Sequence, residues 1–455
     1  MALIASAAPT VRSAQRSTLL HGLAGRWPLL PLIAAVLLLA VPDDGTGAGA
    51  GAVNGVPAPD LLSGVAVLVC AGRLLYLRRR PLTVAAGLVL GLPAAGLTLA
   101  TVTAADPAAA LPGLARYLQI FVLVPAAVLL LVRDAQGFRL VAGSLVLLAA
   151  VQGATGVHQY VTGSGASYMG EDIRAVGTFG PSDVMGMATV VAYGLLAAVA
   201  YALRTPKGTP SWLKPWAPLT AALLVVPLTL SFSRGAWIAT AAGALAMIAM
   251  TGGRQAVRAL AVLAAAGIVL VGGFGVGSEM ISQRLASITQ VTSAPDRSVN
   301  DRYAMWAAAT DMWRERPATG VGLKGFPAHR DAHASIGLSA GSDTAGAGQE
   351  FRKQPLLSPH NMYLLVLSEQ GLIGLTALAG SWAALLVGGV RRLARARARG
   401  SAAVDCGLAA VGLMTWQTVD FLYADIGGPS TVLTGIVLGL AAWWALAGPE
   451  RTTTA

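Results

Sequence analysis

SPHNMYLLVLSEQGLIGLTALAGSWAALLVG, residues 358–388, joins a polar, turn-forming lead to an apolar run. The run is long enough to cross ~30 Å of hydrocarbon, which takes roughly 20 helical residues. Arg391, Arg392, Arg395, Arg397 and Arg399 follow directly. Basic residues are retained on the cytoplasmic side of a membrane, so this is an oriented transmembrane helix whose lead, Ser358-Pro359-His360-Asn361, faces away from the cytoplasm.

Similar apolar runs recur along the chain, at 27–41, 61–77, 82–103, 114–132, 139–159, 184–203, 216–232, 236–251, 257–275, 404–423 and 430–447. With 361–388 they make about twelve candidate spans. The composition agrees: 55% of residues are hydrophobic, 12% are charged and mean hydropathy is +0.65, whereas soluble domains carry roughly 25% charged residues. The runs are continuous rather than alternating, which excludes a β-barrel. The expected fold is an all-α polytopic membrane protein, a single transmembrane domain over 1–455. Its one large extracytoplasmic loop is the polar interval 278–359. Cys70 and Cys406 both sit in apolar runs and read as small core residues, not as a disulfide or zinc framework.

A net charge of +11 does not call for a nucleic-acid partner here, because in a membrane protein most basic residues mark cytoplasmic loops. Residues 1–27 are basic and acid-free, with Arg12, Arg16 and Arg26, and lead into what reads as a retained first helix. Asp43–Asp60 is a linker rich in Gly, Ala and Pro. With both termini cytoplasmic, most of the 32 lysines and arginines fall in cytoplasmic segments. Most of the remainder lie in 278–359, which is long enough to cross regardless of charge. Arg116, Arg174 and Arg234 are left in short outer connections, against the bias. Any one of them reads as an arginine snorkelling to headgroups. Together, on the face of the only large loop, they point to an anion site.

Several stretches could carry chemistry. Ser231-Phe-Ser-Arg-Gly-Ala-Trp237 places Arg234 at a low-dielectric boundary, with Ser233 before it and Gly235 allowing the turn. Arg174-Ala-Val-Gly-Thr-Phe-Gly-Pro-Ser182 gives an irregular backbone at the membrane edge, tolerated only against protein or a watery cavity; a plain turn before a capped helix is the simpler alternative. Arg302 to Arg316 predicts an amphipathic helix with Met305, Trp306, Ala309, Met312 and Trp313 on one face, stopped by Pro317. The glycine-rich Thr319-Gly-Val-Gly-Leu-Lys-Gly-Phe326 could approach a phosphate. His329-Arg-Asp-Ala-His333 offers alternating ligands, but its arginine is a poor neighbour for a cation, and no metal is expected. His360 stands at an apolar boundary, where an imidazole can act as a base or simply cap the helix. Charged residues within the spans are few, chiefly Glu369 and Asp420. A secondary transporter or lipid-linked glycan flippase, the competing class, would show more buried ionisable groups.

The motifs resemble those of the O-antigen ligase and polymerase superfamily. The matching pieces are Arg174-x-x-Gly-Thr-Phe, Ser233-Arg-Gly-Ala-Trp237, Asp301-Arg302 with Trp306, Pro317-x-x-Gly-x-Gly322, and His360-Asn361 followed by Glu369-x-Gly-Leu-x-Gly374. They run in order across residues 174–374. The resemblance implies a bacterial inner-membrane enzyme, a metal-independent inverting glycosyltransferase needing no cofactor. Its partners would be a polyprenyl diphosphate-linked glycan donor, a glycan or lipid-glycan acceptor and membrane lipids. It implies that Arg234 and Arg302, with Arg174, engage the diphosphate and that His360 activates the acceptor. Arg116, Asn361 and Ser233 complete the expected substrate-binding set, in one outer cavity.

Overall fold

The computed structural model describes residues 25–42, 56–78, 82–168, 171–183, 185–253, 257, 297–335, 338, 342–346, 352–354, 356–428 and 430–447. The basic start, most of the linker after Asp43, the expected span 257–275 beyond Val257 and the first part of the 278–359 interval lie outside them.

The described chain is nearly all helical. A 3-10 turn, Trp27–Leu29, leads into α1 (Leu30–Leu38), followed by α2 (Ala58–Leu77) and α3 (Val84–Val102). α4 (Pro107–Leu118) continues through a π turn, Gln119–Leu123, into α5 (Val124–Leu131), and α6 spans Ala135–Thr162. After a short irregular stretch come α7 (Gly186–Leu203), α8 (Trp216–Leu230) and α9 (Arg234–Ala249). The polar interval contributes α10 (Arg297–Glu315) and α11 (Phe326–His333), and the chain closes with α12 (Met362–Ala398), α13 (Val404–Asp420) and α14 (Thr431–Ala442).

Capping residues fix several of these starts. Thr83, Asp106, Asp134, Ser233 and Asn361 each accept the amide of the residue three positions on, at 3.2, 3.0, 2.6, 3.2 and 3.0 Å. Among the described residues, 7 helices are long and apolar enough to cross a membrane, and Trp27–Leu38, Arg234–Ala249 and Thr431–Ala447 are shorter apolar helices. The outward faces are apolar, with Leu68 71% and Leu75 78% exposed. Such surface belongs in lipid, not in water. This is a multi-pass membrane protein.

Glycines let the helices approach closely, as small residues do where no water drives association. Gly96 of α3 lies against the Gly374 backbone of α12, Gly243 of α9 against the Gly412 carbonyl of α13, and Gly435 of α14 against the Ile120 carbonyl. Two buried polar pairs tie helices together across the seams: Tyr193 hydrogen-bonds Gln417, and Trp416 Nε1 donates to Thr240 Oγ1 at 3.0 Å.

Two departures from the expected architecture matter for the site. The first is a small antiparallel sheet, made by β1 (Ala166–Tyr168), β2 (Glu171–Arg174), β3 (Ser342–Gly346) and β4 (Arg352–Gln354) in the order β2-β1-β3-β4. It ties the segment ending in Arg174 to the long polar interval. The second is a break in α12 at Gly371, whose φ of 63° and ψ of −164° are not helical. The Pro317–Leu323 chain fills the break. Val321 N donates to Ser368 O (2.8 Å) and Gly322 N to Glu369 O (3.1 Å), while Leu372 N and Ile373 N donate to the Pro317 and Ala318 carbonyls (2.9 and 3.2 Å). The freed backbone groups are thus satisfied, as burial in a membrane protein demands.

Candidate active site

His360 owes its place to the start of α12. Asn361 caps that helix, and its Nδ2 donates to Leu422 O at 3.0 Å. Met362 N donates to both Phe421 O and Ala424 O, at 2.9 and 3.0 Å. Pinned this way to the Phe421–Ser430 connection, His360 is left-handed, φ 47°, a conformation costing a non-glycine residue about 1–2 kcal/mol. Strain of this kind collects at functional sites. From the other side, Trp306 Nε1 on α10 donates to Pro359 O at 2.8 Å. Burial lowers the His360 pKa below its ordinary value, the Arg302 charge lowers it further, and Asp425 opposes them. These effects on balance favour the neutral imidazole, the form that can accept a proton.

Arg234 begins α9. Phe232, two residues before it, is also left-handed at φ 49°, and Trp237 Nε1 donates back to Leu228 O at 2.8 Å, closing the turn. The helix start puts Arg234 where free amides and the helix dipole already favour an anion. Gly235 presses on Tyr423: a Cβ there would lie 3.2 Å from the Tyr423 Cβ. Leu422 thus holds Asn361 while its neighbour Tyr423 faces Gly235, so the turns of His360 and Arg234 share one connection.

The Arg174 turn joins them. Ala175 N donates to Leu230 O at 3.3 Å, just ahead of the Arg234 turn. Gln159 Oε1 accepts the Val176 and Gly177 amides at 3.1 and 2.8 Å, and Gln152 Oε1 accepts that of Thr178 at 2.9 Å. Asp183 ends this stretch by accepting the Ser430 hydroxyl at 2.8 Å. Burial raises the Asp183 pKa against the Ser430 and Gly186 hydrogen bonds.

Arg302 arrives on α10, which begins five residues earlier than its apolar pattern predicts and buries Met305, Ala308, Ala309 and Met312 completely. The helix lies over the bundle. The Arg302 charge acts on both His360 and Asp420. The turns that carry Arg174 and Arg234 are thus joined through the Ala175–Leu230 bond, Gly235 and the His360 turn both contact the 421–430 connection, and the Arg302 charge acts on His360.

Other expected residues have different settings. Arg116 forms an ion pair with Asp60 of α2, and Gln119 Nε2 braces that corner by donating to Asp60 O at 3.0 Å. Ser233 and Asn361 spend side-chain oxygens on helix caps. His333 Nε2 meets Glu315 Oε1 at 2.9 Å, and its hydrogen bonds to the His329 carbonyl and to Glu315 raise its pKa.

Sequence reasoning named Asp420 only among the few charged residues within the spans, and it missed Asp425. Asp420 ends α13, 6% exposed, and Asp425 follows in the connection, its charge acting on both His360 and Asp420. An acid in a short connection on the face of the long loop was the available signal.

Residues 219–379 match the family model described as O-antigen ligase. The match takes in Arg234, Arg302, His360 and Glu369; Arg116 and Arg174 precede it, and Asp420 and Asp425 follow it. No curated protein matches the chain.

Proposed function

We propose that this chain, whose residues 219–379 match the O-antigen ligase family model, transfers a glycan from a polyprenyl diphosphate carrier to an acceptor hydroxyl. The site faces outward on the bacterial inner membrane. His360 takes the proton of the acceptor hydroxyl as its oxygen attacks the anomeric carbon. The bond from that carbon to the diphosphate breaks, and the lipid diphosphate leaves with the electron pair. Attack opposite the leaving group inverts the anomeric centre. Arg234 and Arg302, with Arg174, meet the charge that grows on the diphosphate, which preorganised cations stabilise strongly where water is scarce. Ser233 and Asn361 position Arg234 and His360 through their caps. Arg116, its charge matched by Asp60, belongs to the wall. No metal or other cofactor takes part.

The observation carrying this assignment is the left-handed His360 turn, held against the 421–430 connection that also contacts the Arg234 helix, with the Arg302 and Asp425 charges acting on the imidazole. Purified protein supplied with a lipid diphosphate glycan tests it. His360→Ala should slow transfer by about 10²–10⁴, and Arg234→Ala by about 10²–10³, in variants that unfold at the wild-type temperature. Unchanged transfer in such folded variants defeats the assigned chemistry, and lipid translocation without transfer makes the protein a flippase.

A further inference from the structure

Lys324 is not among the residues assigned above to the diphosphate or the acceptor. Its backbone is left-handed, φ 61°, within the glycine-rich Thr319–Phe326 stretch, where Gly320 and Gly322 also take positive angles. A long side chain stands where glycine would sit without strain. The helix opposite makes room for it. Gly113 of α4 lies against its stem, and a Cβ there would come 2.6 Å from Lys324 Cγ. The ammonium ends 4.7 Å from the centre of the Tyr117 ring, one turn farther along the same face of α4. Tyr117 is buried, whereas Lys324 is exposed.

Position makes that exposure significant. Gly113 and Tyr117 belong to the membrane-crossing helix Pro107–Leu131, and at 1.5 Å per residue they stand ~9 and ~15 Å in from its first residue. An exposed cation this far along a span faces a polar route or an anionic headgroup. The competing explanation is local. Glu369 accepts the Phe326 amide on Oε1 at 3.2 Å, its Oε2 has no partner among the described residues, and the Lys324 charge reaches it. Lys324 could exist only to balance that carboxylate.

We propose that Lys324 binds the phosphate ester headgroup of a membrane lipid seated between α4 and the Thr319–Phe326 stretch. The assignment rests on the transferase reading, which makes that lipid the diphosphate-linked donor. Lys324 then holds the donor from the α4 side, with Gly113 and Tyr117 fixing its reach.

Binding of polyprenyl diphosphate without glycan, to the full chain in nanodiscs of zwitterionic lipid, provides the test. Lys324→Gly suits the backbone, so the variant should unfold no lower than wild type while binding weakens at least about fivefold. The double variant Lys324→Gly with Glu369→Gln should remain equally weak. Unchanged affinity in Lys324→Gly overturns the proposal, as does recovery in the double variant, which reduces Lys324 to a counter-charge. Equal displacement by phosphatidylglycerol overturns the donor assignment. Binding that depends on Lys324 in a wild type showing no transfer keeps the site and removes the transferase reading.

Discussion

Burial and the Arg302 guanidinium both drive the His360 imidazole toward its neutral form, and Asp425 pulls the other way. Arg302 faces it from α10, Asp425 from the Phe421–Ser430 connection, and Asp420 stands at the end of α13 beside that connection. If neutral His360 is the base, transfer falls as pH drops through a pKa lying below the ordinary ~6.5. Arg302→Gln removes a positive charge, so the pKa rises and the acid limb of kcat/KM moves up. Asp425→Asn removes a negative charge, and the limb moves down. At an effective dielectric near 20 each shift is about one pH unit or less. A pH–rate profile in which the two variants do not shift the limb in opposite directions removes His360 as the titrating base. His360 and Arg302 could be singled out from the sequence because each sits in a recognisable motif. Asp425 could not: its approach to His360 comes from the Met362 amide bonding the Phe421 and Ala424 carbonyls, a contact no local pattern encodes.

At the scale of elements, the sequence shows where helices begin but not where one is broken from outside. Residues 361–388 read as one continuous apolar run, yet Gly371 interrupts α12 because Pro317–Leu323 takes over its hydrogen bonds. That substitution depends on a chain segment some fifty residues earlier. Gly371→Ala would drive a Cβ into the Ala318 carbonyl and the Thr319 amide, at backbone angles that suit glycine alone. We expect it to destabilise the protein by about 3 kcal/mol or more and to free the Thr319–Phe326 stretch. Thermal unfolding and amide exchange over that stretch measure both effects. Gly380→Ala, in the same helix with nothing near its added Cβ, should be neutral or stabilising by up to about 1 kcal/mol. Equal behaviour of the two variants would mean that the break does not anchor the stretch. The small sheet was illegible for a related reason. Its strands are only three to five residues long, and pairing Ala166 with Gly346 brings together segments that lack the alternation of a half-buried strand.

The whole molecule is oriented by two ends of one helix: the His360 turn leads into α12, and the arginines from Arg391 to Arg399 close it. If basic residues stay inside, these ends lie on opposite sides of the membrane and the site faces out. The chain is well suited to showing this, because its two cysteines are free and buried and should give an impermeant thiol reagent little background. Leu357, three residues before His360, is 53% exposed, and Arg399 is exposed at the other end. In intact cells Leu357→Cys should be labelled and Arg399→Cys should not, whereas inverted membrane vesicles should give the reverse. Labelling of both from one side would fold α12 back on itself at the Gly371 break, and its outward-facing site would have to be abandoned. With the expected pattern, sealed vesicles should transfer glycan only when donor and acceptor are supplied on the side where Leu357→Cys reacts. That result links the labelled face to the chemistry, since a site opening toward the arginine cluster would use substrates from the other side.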